Sequence, residues 1–203
     1  MTPNHRGARS REAVLDAAER LMAEHGYDAA TVAALVENAG IPASSIYHYF
    51  GSKEGVLLAV MERGAERFFA ALGPASERRH GTQVEHLRAL VGSVARTLER
   101  HPDFLRILVV MATQPVAAGD GEVHTVVNRV RARALARLRR ECEQTFGIDP
   151  GDPATEVLAR FALAAVDGAF VACQSDPSLR LQTLLEHLPR ALLAVRRELS
   201  EQS

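Results

Sequence analysis

The chain has 203 residues, of which 47% are hydrophobic and 24% charged, and its formal net charge is −1. These values are typical of a folded globular protein and exclude a disordered or fibrous chain, whereas the net charge neither supports nor excludes nucleic acid as a partner. The longest apolar runs fall far short of the roughly 20 residues of a membrane span. No apolar segment follows the polar, basic start, so we expect a cytoplasmic protein that does not contact a membrane.

Apolar residues recur three and four positions apart along the chain, which predicts α-helices, and no run alternates for long enough to predict a sheet. Thr31 is placed to cap the second helix and Gly40 to end it, Pro42 begins the third, and Ser52 caps the fourth. The sequence therefore predicts an all-α fold of nine helices: 13–25, 31–39, 42–49, 52 to the loop at 73–81, 83–100, 102–113, 121–146, 154–173 and 179–199.

The two short helices between Thr31 and Phe50 have the layout of a helix-turn-helix, with Gly40 in the tight turn and apolar residues on both helices. A recognition helix in the major groove needs a first turn of small and polar residues, which here are Ala43, Ser44 and Ser45. Tyr47 and His48 reach further, toward phosphates or base edges. The spacing alone also fits an ordinary helical protein in which these aromatic residues are surface or core residues.

The run Ala39-Gly40-Ile41-Pro42-Ala43-Ser44-Ser45-Ile46-Tyr47-His48-Tyr49-Phe50-Gly51-Ser52-Lys53-Glu54 resembles the signature of the TetR (tetracycline-repressor-like) family of bacterial transcriptional regulators. The first helix is similar too, with Ala17-Ala18 and Leu21 ahead of Gly26-Tyr27. The resemblance is close over about residues 10–60, and beyond them only the length and the helical architecture agree. It implies a helix-turn-helix DNA-binding domain at 1–54 and a helical ligand-binding and dimerisation domain at 55–203.

The resemblance also implies roles for single residues. Thr31, Tyr47 and Lys53, the only lysine of the chain, would hold phosphates, and His48 would reach a phosphate or a base. The alternative for Lys53 is a solvated charge near a helix start. The predicted DNA-binding set is Thr31, Ala43, Ser44, Ser45, Tyr47, His48 and Lys53.

Three positions depart from the family pattern, because Pro42 replaces a polar cap and Ala33 and Ala43 lack long polar side chains. Sequence specificity would then depend on Ser44, His48, van der Waals contacts and the shape of the DNA. The basic start of the chain, with His5, Arg6, Arg9 and Arg11, is interpreted either as an unstructured arm on the DNA or as a solvated tail.

The last two predicted helices are the candidates for a homodimer interface. Residues 155–173 are apolar on most sides and include small residues that permit close helix approach, and 179–199 carries a leucine-rich face. Both helices would alternatively complete the core of a single chain. A dimer would present its recognition helices to successive major grooves, about 34 Å apart.

The family usually binds a small inducer in the larger domain. Asp167 lies within a very apolar helix and is expected to pair with an arginine, a helix N-terminus or a ligand. The arginines of 129–140 are interpreted as a solvated face rather than a DNA or ligand site, and Cys142 and Cys173 as small buried residues rather than redox sensors. The residues proposed from the sequence to line the inducer pocket are His101, Phe104, Leu108, Met111, Phe146, Phe170 and Gln174.

Enzyme motifs are absent from the sequence: there is no glycine-rich phosphate loop, nucleophile elbow, HExxH or CxxC pair, and the eight histidines lack metal-ligand spacing. We therefore expect neither an enzyme nor a bound metal or cofactor. The predicted function is a dimeric repressor that binds a pseudo-palindromic DNA operator and is released by a small molecule. The alternative is a helical protein-interaction module that has lost DNA binding, which Ala33 and Ala43 keep open.

Overall fold

The structure is a computed structural model that describes residues 3–73, 81–113 and 121–201. Those residues form α-helices and one 3-10 helix (Tyr27–Ala29), without a strand, so the predicted all-α class is confirmed. No helix among them is both long enough and apolar enough to cross a bilayer. The α-helices are α1 Pro3–His25, α2 Val32–Ala39, α3 Ala43–Phe50, α4 Lys53–Leu72, α5 Gln83–Arg100, α6 Pro102–Thr113, α7 Gly121–Phe146, α8 Pro153–Ser175, α9 Leu181–Leu185 and α10 Leu188–Glu201.

The last predicted helix, 179–199, is interrupted, and α9 and α10 counted together give the nine predicted helices over the described ranges. The interruption has a local cause. Pro189 has no backbone N–H, and its ring would collide with the carbonyl four residues earlier if one helix ran through. The chain instead closes α9 with a bond from the Glu186 N–H to the Thr183 carbonyl and starts α10 at Leu188.

The basic start of the chain is helical rather than an arm or a tail, because α1 begins at Pro3, ten residues before the predicted start. The prediction followed the apolar stripe that starts at Ala13, and the preceding polar residues carry no such stripe. Proline suits the first turn of a helix, since the N–H that it lacks has no partner within the helix there.

The chain divides into two compact units, and the first consists of Met1–Phe68 with His101–Val130. In it, α1 packs against α2, α3 and α6. Val14 and Leu15 of α1, Leu35 of α2 and Leu57 of α4 are fully buried. These helices therefore surround a common apolar core, and α1 is its central element.

The second unit consists of Phe69–Arg100 with Arg131–Ser203. Here α10 packs against α5 and α8, and α9 does the same. Asp167 of α8 accepts a hydrogen bond of 2.6 Å from Arg131 of α7, so it is paired as expected, and an arginine is the partner among the three alternatives. The predicted domain division after residue 54 concerns the function of the segments and stays a prediction.

The arginines of α7 do more than form a solvated face. In the first unit Arg129 donates to Glu62 at 3.2 Å. In the second unit the guanidinium of Arg133 lies 4.3 Å from the ring centroid of Phe69, and Arg137 donates to the Gly73 carbonyl at 2.5 Å. Arg137 also lies 3.6 Å from the Glu141 carboxylate. The sequence could not reveal the other partners because they lie 64 to 67 positions away.

Candidate DNA-binding interface

The start of α2 is fixed by Thr31, as predicted. Its hydroxyl oxygen accepts a hydrogen bond of 3.2 Å from the Ala34 N–H, while its own backbone is extended. At the other end Gly40 adopts the left-handed conformation, with φ of 65°, and its N–H bonds to the Val36 carbonyl. Both ends of α2 are thus determined by contacts between neighbouring residues. Thr31 itself stays exposed.

The third helix presents the predicted recognition residues on its outer side. Ile46 is buried, with 1% of its surface exposed, and anchors α3. Tyr47, 53% exposed, and also Ser44 and His48 lie on the surface, and Ala43 and Ser45 are half-buried. Pro42 caps α3 without a side-chain hydrogen bond, as its chemistry requires. The first turn therefore offers small side chains and accessible backbone, which suits close approach to base edges.

The junction between α3 and α4 is tight. The Ser52 hydroxyl caps α4 by accepting a hydrogen bond of 3.1 Å from the Gly55 N–H, as predicted. A Cβ atom on Gly55 would lie only 1.9 Å from the Phe50 carbonyl oxygen. The start of α4 therefore rests directly on the backbone that ends the recognition helix.

Lys53 is held by the segment that precedes α2. Its Nζ donates a hydrogen bond of 3.2 Å to the Asp28 carbonyl and lies 4.1 Å from the ring centroid of Tyr27. The Tyr27 hydroxyl in turn donates to Glu54 at 3.2 Å. A hydrogen bond from its own backbone N–H, and then one from Ser52, lower the pKa of the Glu54 carboxyl. Lys53 is thus more than a solvated charge, because Tyr27 and Asp28 hold its ammonium in place.

The aromatic end of α3 meets the start of α1, which the sequence did not predict. The guanidinium of Arg11 lies 5.4 Å from the ring centroid of Phe50, and a Cβ on Gly7 would lie 3.5 Å from the Tyr49 hydroxyl. Arg9 and Arg11 are both exposed. A basic segment therefore lies on a helix next to the recognition helix, and only the helical extension of α1 back to Pro3 brings it there.

The predicted ligand-lining residues are spread over both units. In the first unit, Phe104, Leu108 and Met111 of α6 are buried, and His101 is half-buried. In the second unit, Phe170 is buried, Phe146 half-buried and Gln174 exposed at the end of α8. Their role as ligand contacts stays a prediction.

Metal-binding clusters of histidine, cysteine, aspartate or glutamate do not occur in the ranges that the structure describes. Cys142 is buried, and burial, followed by the charges of Glu141 and Glu143, raises the pKa of its thiol to about 12. A thiol that stays protonated is a poor nucleophile. This supports the interpretation of Cys142 as a small buried residue, whereas Cys173 is half-buried.

Comparison with known proteins finds a family model and relatives for the helix-turn-helix segment. Residues 14–60 match the model of the bacterial regulatory proteins, tetR family. The HTH-type transcriptional repressor AcnR of Corynebacterium glutamicum is 45% identical over 58 residues, which are 29% of this chain and 31% of that protein. The match thus covers about a third of that relative's length.

Longer but weaker similarities extend beyond the helix-turn-helix. The HTH-type transcriptional repressor Rv1474c of Mycobacterium tuberculosis is 27% identical over 194 residues, or 92% of this chain and 94% of that protein. The structure of the regulator FadR from Bacillus subtilis in complex with stearoyl-CoA aligns with a TM-score of 0.68 at 20% identity, covering 89% of this chain and 96% of that one. Residues 14–60 thus match the helix-turn-helix segment of the bacterial regulatory proteins, tetR family, as the sequence signature predicted, and the similarity of the all-α fold extends over most of the chain.

Proposed function

We propose that the chain is a transcriptional repressor that binds a pseudo-palindromic DNA operator as a homodimer and is released by a small molecule. The observation that carries the proposal is the outer side of α3, where Ser44, Tyr47 and His48 are exposed above the buried Ile46. Exposed polar and aromatic groups on a short, firmly anchored helix are what readout in the major groove requires. The repressors among the relatives support the same direction of regulation.

The phosphate contacts would come from both sides of α3. Thr31 is exposed at the start of α2, where the helix N-terminus favours an anion. Lys53 stands at the first residue of α4, fixed by its bond to the Asp28 carbonyl. Tyr47 carries an exposed phenol on α3 itself. Ala43, Ser44, Ser45 and His48 would then face the bases.

The homodimer would form through α8 and the α9–α10 segment. Three large apolar side chains of α8 are exposed: Val157 (45%), Phe161 (39%) and Val171 (45%). Between them, at spacings of three and four residues, lie the exposed small residues Ala164 and Gly168. Such a stripe fits a second helix at close range, so a second copy of this chain is the occupant we propose.

A small-molecule effector would act by binding one arrangement of the dimer better than the other, so that operator affinity falls by that difference. The FadR structure holds stearoyl-CoA, and that ligand is a property of FadR alone. For this chain, the expected contacts are the α6 residues Phe104, Leu108 and Met111 and the other members of the predicted set.

The test begins with selection of a duplex from a random pool and fluorescence anisotropy at increasing KCl. Binding through several phosphates per protomer should weaken by orders of magnitude between about 50 and 200 mM salt. Replacing Tyr47 and Lys53 together by alanine should remove most of the binding, whereas the control Arg129→Ala removes a positive charge outside the interface and should not. Absence of selective retention at low salt would favour the protein-interaction module instead.

A further inference from the structure

Arg63 in the middle of α4 is paired with three carboxylates. Its Nη1 donates to Glu12 at 2.9 Å and to Asp16 at 2.7 Å, and its Nη2 donates to Glu19 at 2.5 Å. Only 10% of the Arg63 side chain is exposed, although Glu12 and Asp16 are about half exposed. One guanidinium thus joins α4 to three carboxylates of α1, all within the first compact unit.

The three carboxylates form an acidic stripe on α1 that would destabilise this helix on its own. They stand at positions i, i+4 and i+7, so they lie on one side of the helix, away from the buried face of Val14, Ala17 and Ala18. Like charges four residues apart destabilise a helix. The stripe is therefore favourable only when a cation is bound to it, and Arg63 is that cation.

The electrostatics of the guanidinium agree with this geometry. Burial acts to lower the pKa of Arg63, but the hydrogen bonds to Glu12 and Asp16 and the charge of Glu19 outweigh burial, and the pKa is raised. Arg67, one turn further along α4, lies 3.6 Å from Glu19 and 3.8 Å from Glu12 and is half exposed. Arg67 is therefore a peripheral member of the same cluster.

The cluster completes a set of attachments between α4 and the helix-turn-helix. At its first turn α4 rests on the Phe50 carbonyl through Gly55, and Lys53 bonds to the Asp28 carbonyl. About two turns later Arg63 attaches α4 to α1, which itself packs on α2 and α3. Within the first unit, α4 is therefore held both at its start and near its middle.

We propose that Arg63 is a positioning residue for DNA binding: it locks α4 to α1, so that α4 and the helix-turn-helix move as one piece. The inference rests on the proposed function. In the proposed dimer, α4 is one of the helices that continue from the first unit into the second, so its direction relative to the helix-turn-helix would help to set the separation of the two recognition helices. Without the lock the range of separations would widen, so operators with altered half-site spacing would be less strongly rejected. Contacts to a single half-site would be unchanged.

The test compares the selected operator with versions in which one base pair is added or removed between the half-sites. Because Arg63→Met strands three carboxylates and threatens folding, the main variant combines it with Glu12→Gln, Asp16→Asn and Glu19→Gln. This quadruple variant lacks the contact between α4 and α1 that Arg63 makes, and it leaves none of the three carboxylates unpaired. The matched control is Arg67→Met, which removes only the peripheral ion pairs. All affinities are measured where circular dichroism shows the proteins folded.

The wild type and Arg67→Met should both prefer the correct spacing. In the quadruple variant that preference should fall by roughly tenfold, the size of a typical coupling between two sites. Its affinity for a single half-site and the salt dependence of that affinity should stay at the wild-type values. A folded quadruple variant that keeps the wild-type spacing preference would overturn the proposal. If the wild type selects no duplex, the proposed function fails in the first step and the inference falls with it.

Discussion

The carbonyl oxygen of Phe50 occupies the place that a side chain on Gly55 would need. A Cβ built on Gly55 lies 1.9 Å from that oxygen and 3.0 Å from its carbon, both backbone atoms that no rotamer change can move. The glycine is therefore required by the approach of the end of α3 to the start of α4. It is not required by a positive φ, since Gly55 is an ordinary helical residue.

Gly55→Ala should accordingly destabilise the protein, although alanine is the better helix former. Forced overpacking against rigid atoms costs about 1–3 kcal/mol, and displacement of the end of α3 should also weaken operator binding. The control is Gly92→Ala in α5, where the new methyl group would meet only the end of the flexible Arg96 side chain. Urea unfolding should show a decrease in stability for the first variant and little change or a small gain for the second. Equal stability of both variants would refute the close approach of the two backbones.

Lys53 offers a direct test of the phosphate contact, because it is the only lysine of the chain. Lys53→Ala should weaken operator binding and reduce the slope of log affinity against log salt by about one for each phosphate that is no longer bound. Lys53→Arg keeps the charge and should retain most of the slope. In the wild type, bound operator should protect Lys53 from acylation by an amine-reactive ester, as read by mass spectrometry. Full labelling of Lys53 in the complex would contradict the assignment.

Thr31 has a structural role that is separable from its proposed contact with DNA. Thr31→Ala removes the oxygen that accepts from the Ala34 N–H, and removal of such a cap costs about 1 kcal/mol. Thr31→Ser keeps the oxygen and should retain both stability and operator affinity. Thermal unfolding and anisotropy on the same samples separate the two effects. If the fully folded Thr31→Ala protein binds the operator with unchanged affinity, Thr31 acts only as a helix cap.

The raised pKa of the Cys142 thiol predicts that the free energy of unfolding of the protein decreases at high pH. Its thiol pKa is about 12 in the folded protein, against an ordinary value of 9.0, so the folded state holds the proton more tightly. The stabilisation is fully present below pH 9 and is lost as the pH rises toward 12, with a limiting slope of about 1.4 kcal/mol per pH unit. Urea unfolding between about pH 8 and pH 10.5 should therefore show a smaller decline for Cys142→Ala than for the wild type. Parallel curves would contradict the burial of a neutral thiol.

The sequence predicted those features of the fold that are determined within one or two turns. The caps at Thr31 and Ser52 and the bounds of α5, α6 and α7 agree with the structure because each depends on neighbouring residues. The split at Pro189 was readable in principle, since proline breaks a helix interior. The leucine periodicity around it masked the signal.

The contacts that fix the candidate interface could not be predicted in the same way. Gly55 was an unremarkable position, and the partners of Lys53 and Arg63 lie 25 and 44 to 51 residues away. The spacing of apolar residues assigns a residue to one side of its own helix. It does not indicate which residues of another helix that side contacts. A stripe of three acids on α1 was the one available signal, because it needs a cation from another element.

The exposed apolar stripe of α8 gives the sharpest test of the dimer. Phe161→Arg places a charge at the centre of the stripe, where a second copy would bury it without a partner. The dimer should dissociate at least about tenfold more readily, as expected for an aromatic residue at the centre of an interface. The matched control is Val110→Arg, which alters a comparably exposed apolar residue of α6 in the first unit. Sedimentation over a range of concentrations should show more monomer for the Phe161 variant only. Dissociation caused by the Val110 variant alone would assign the interface to α6.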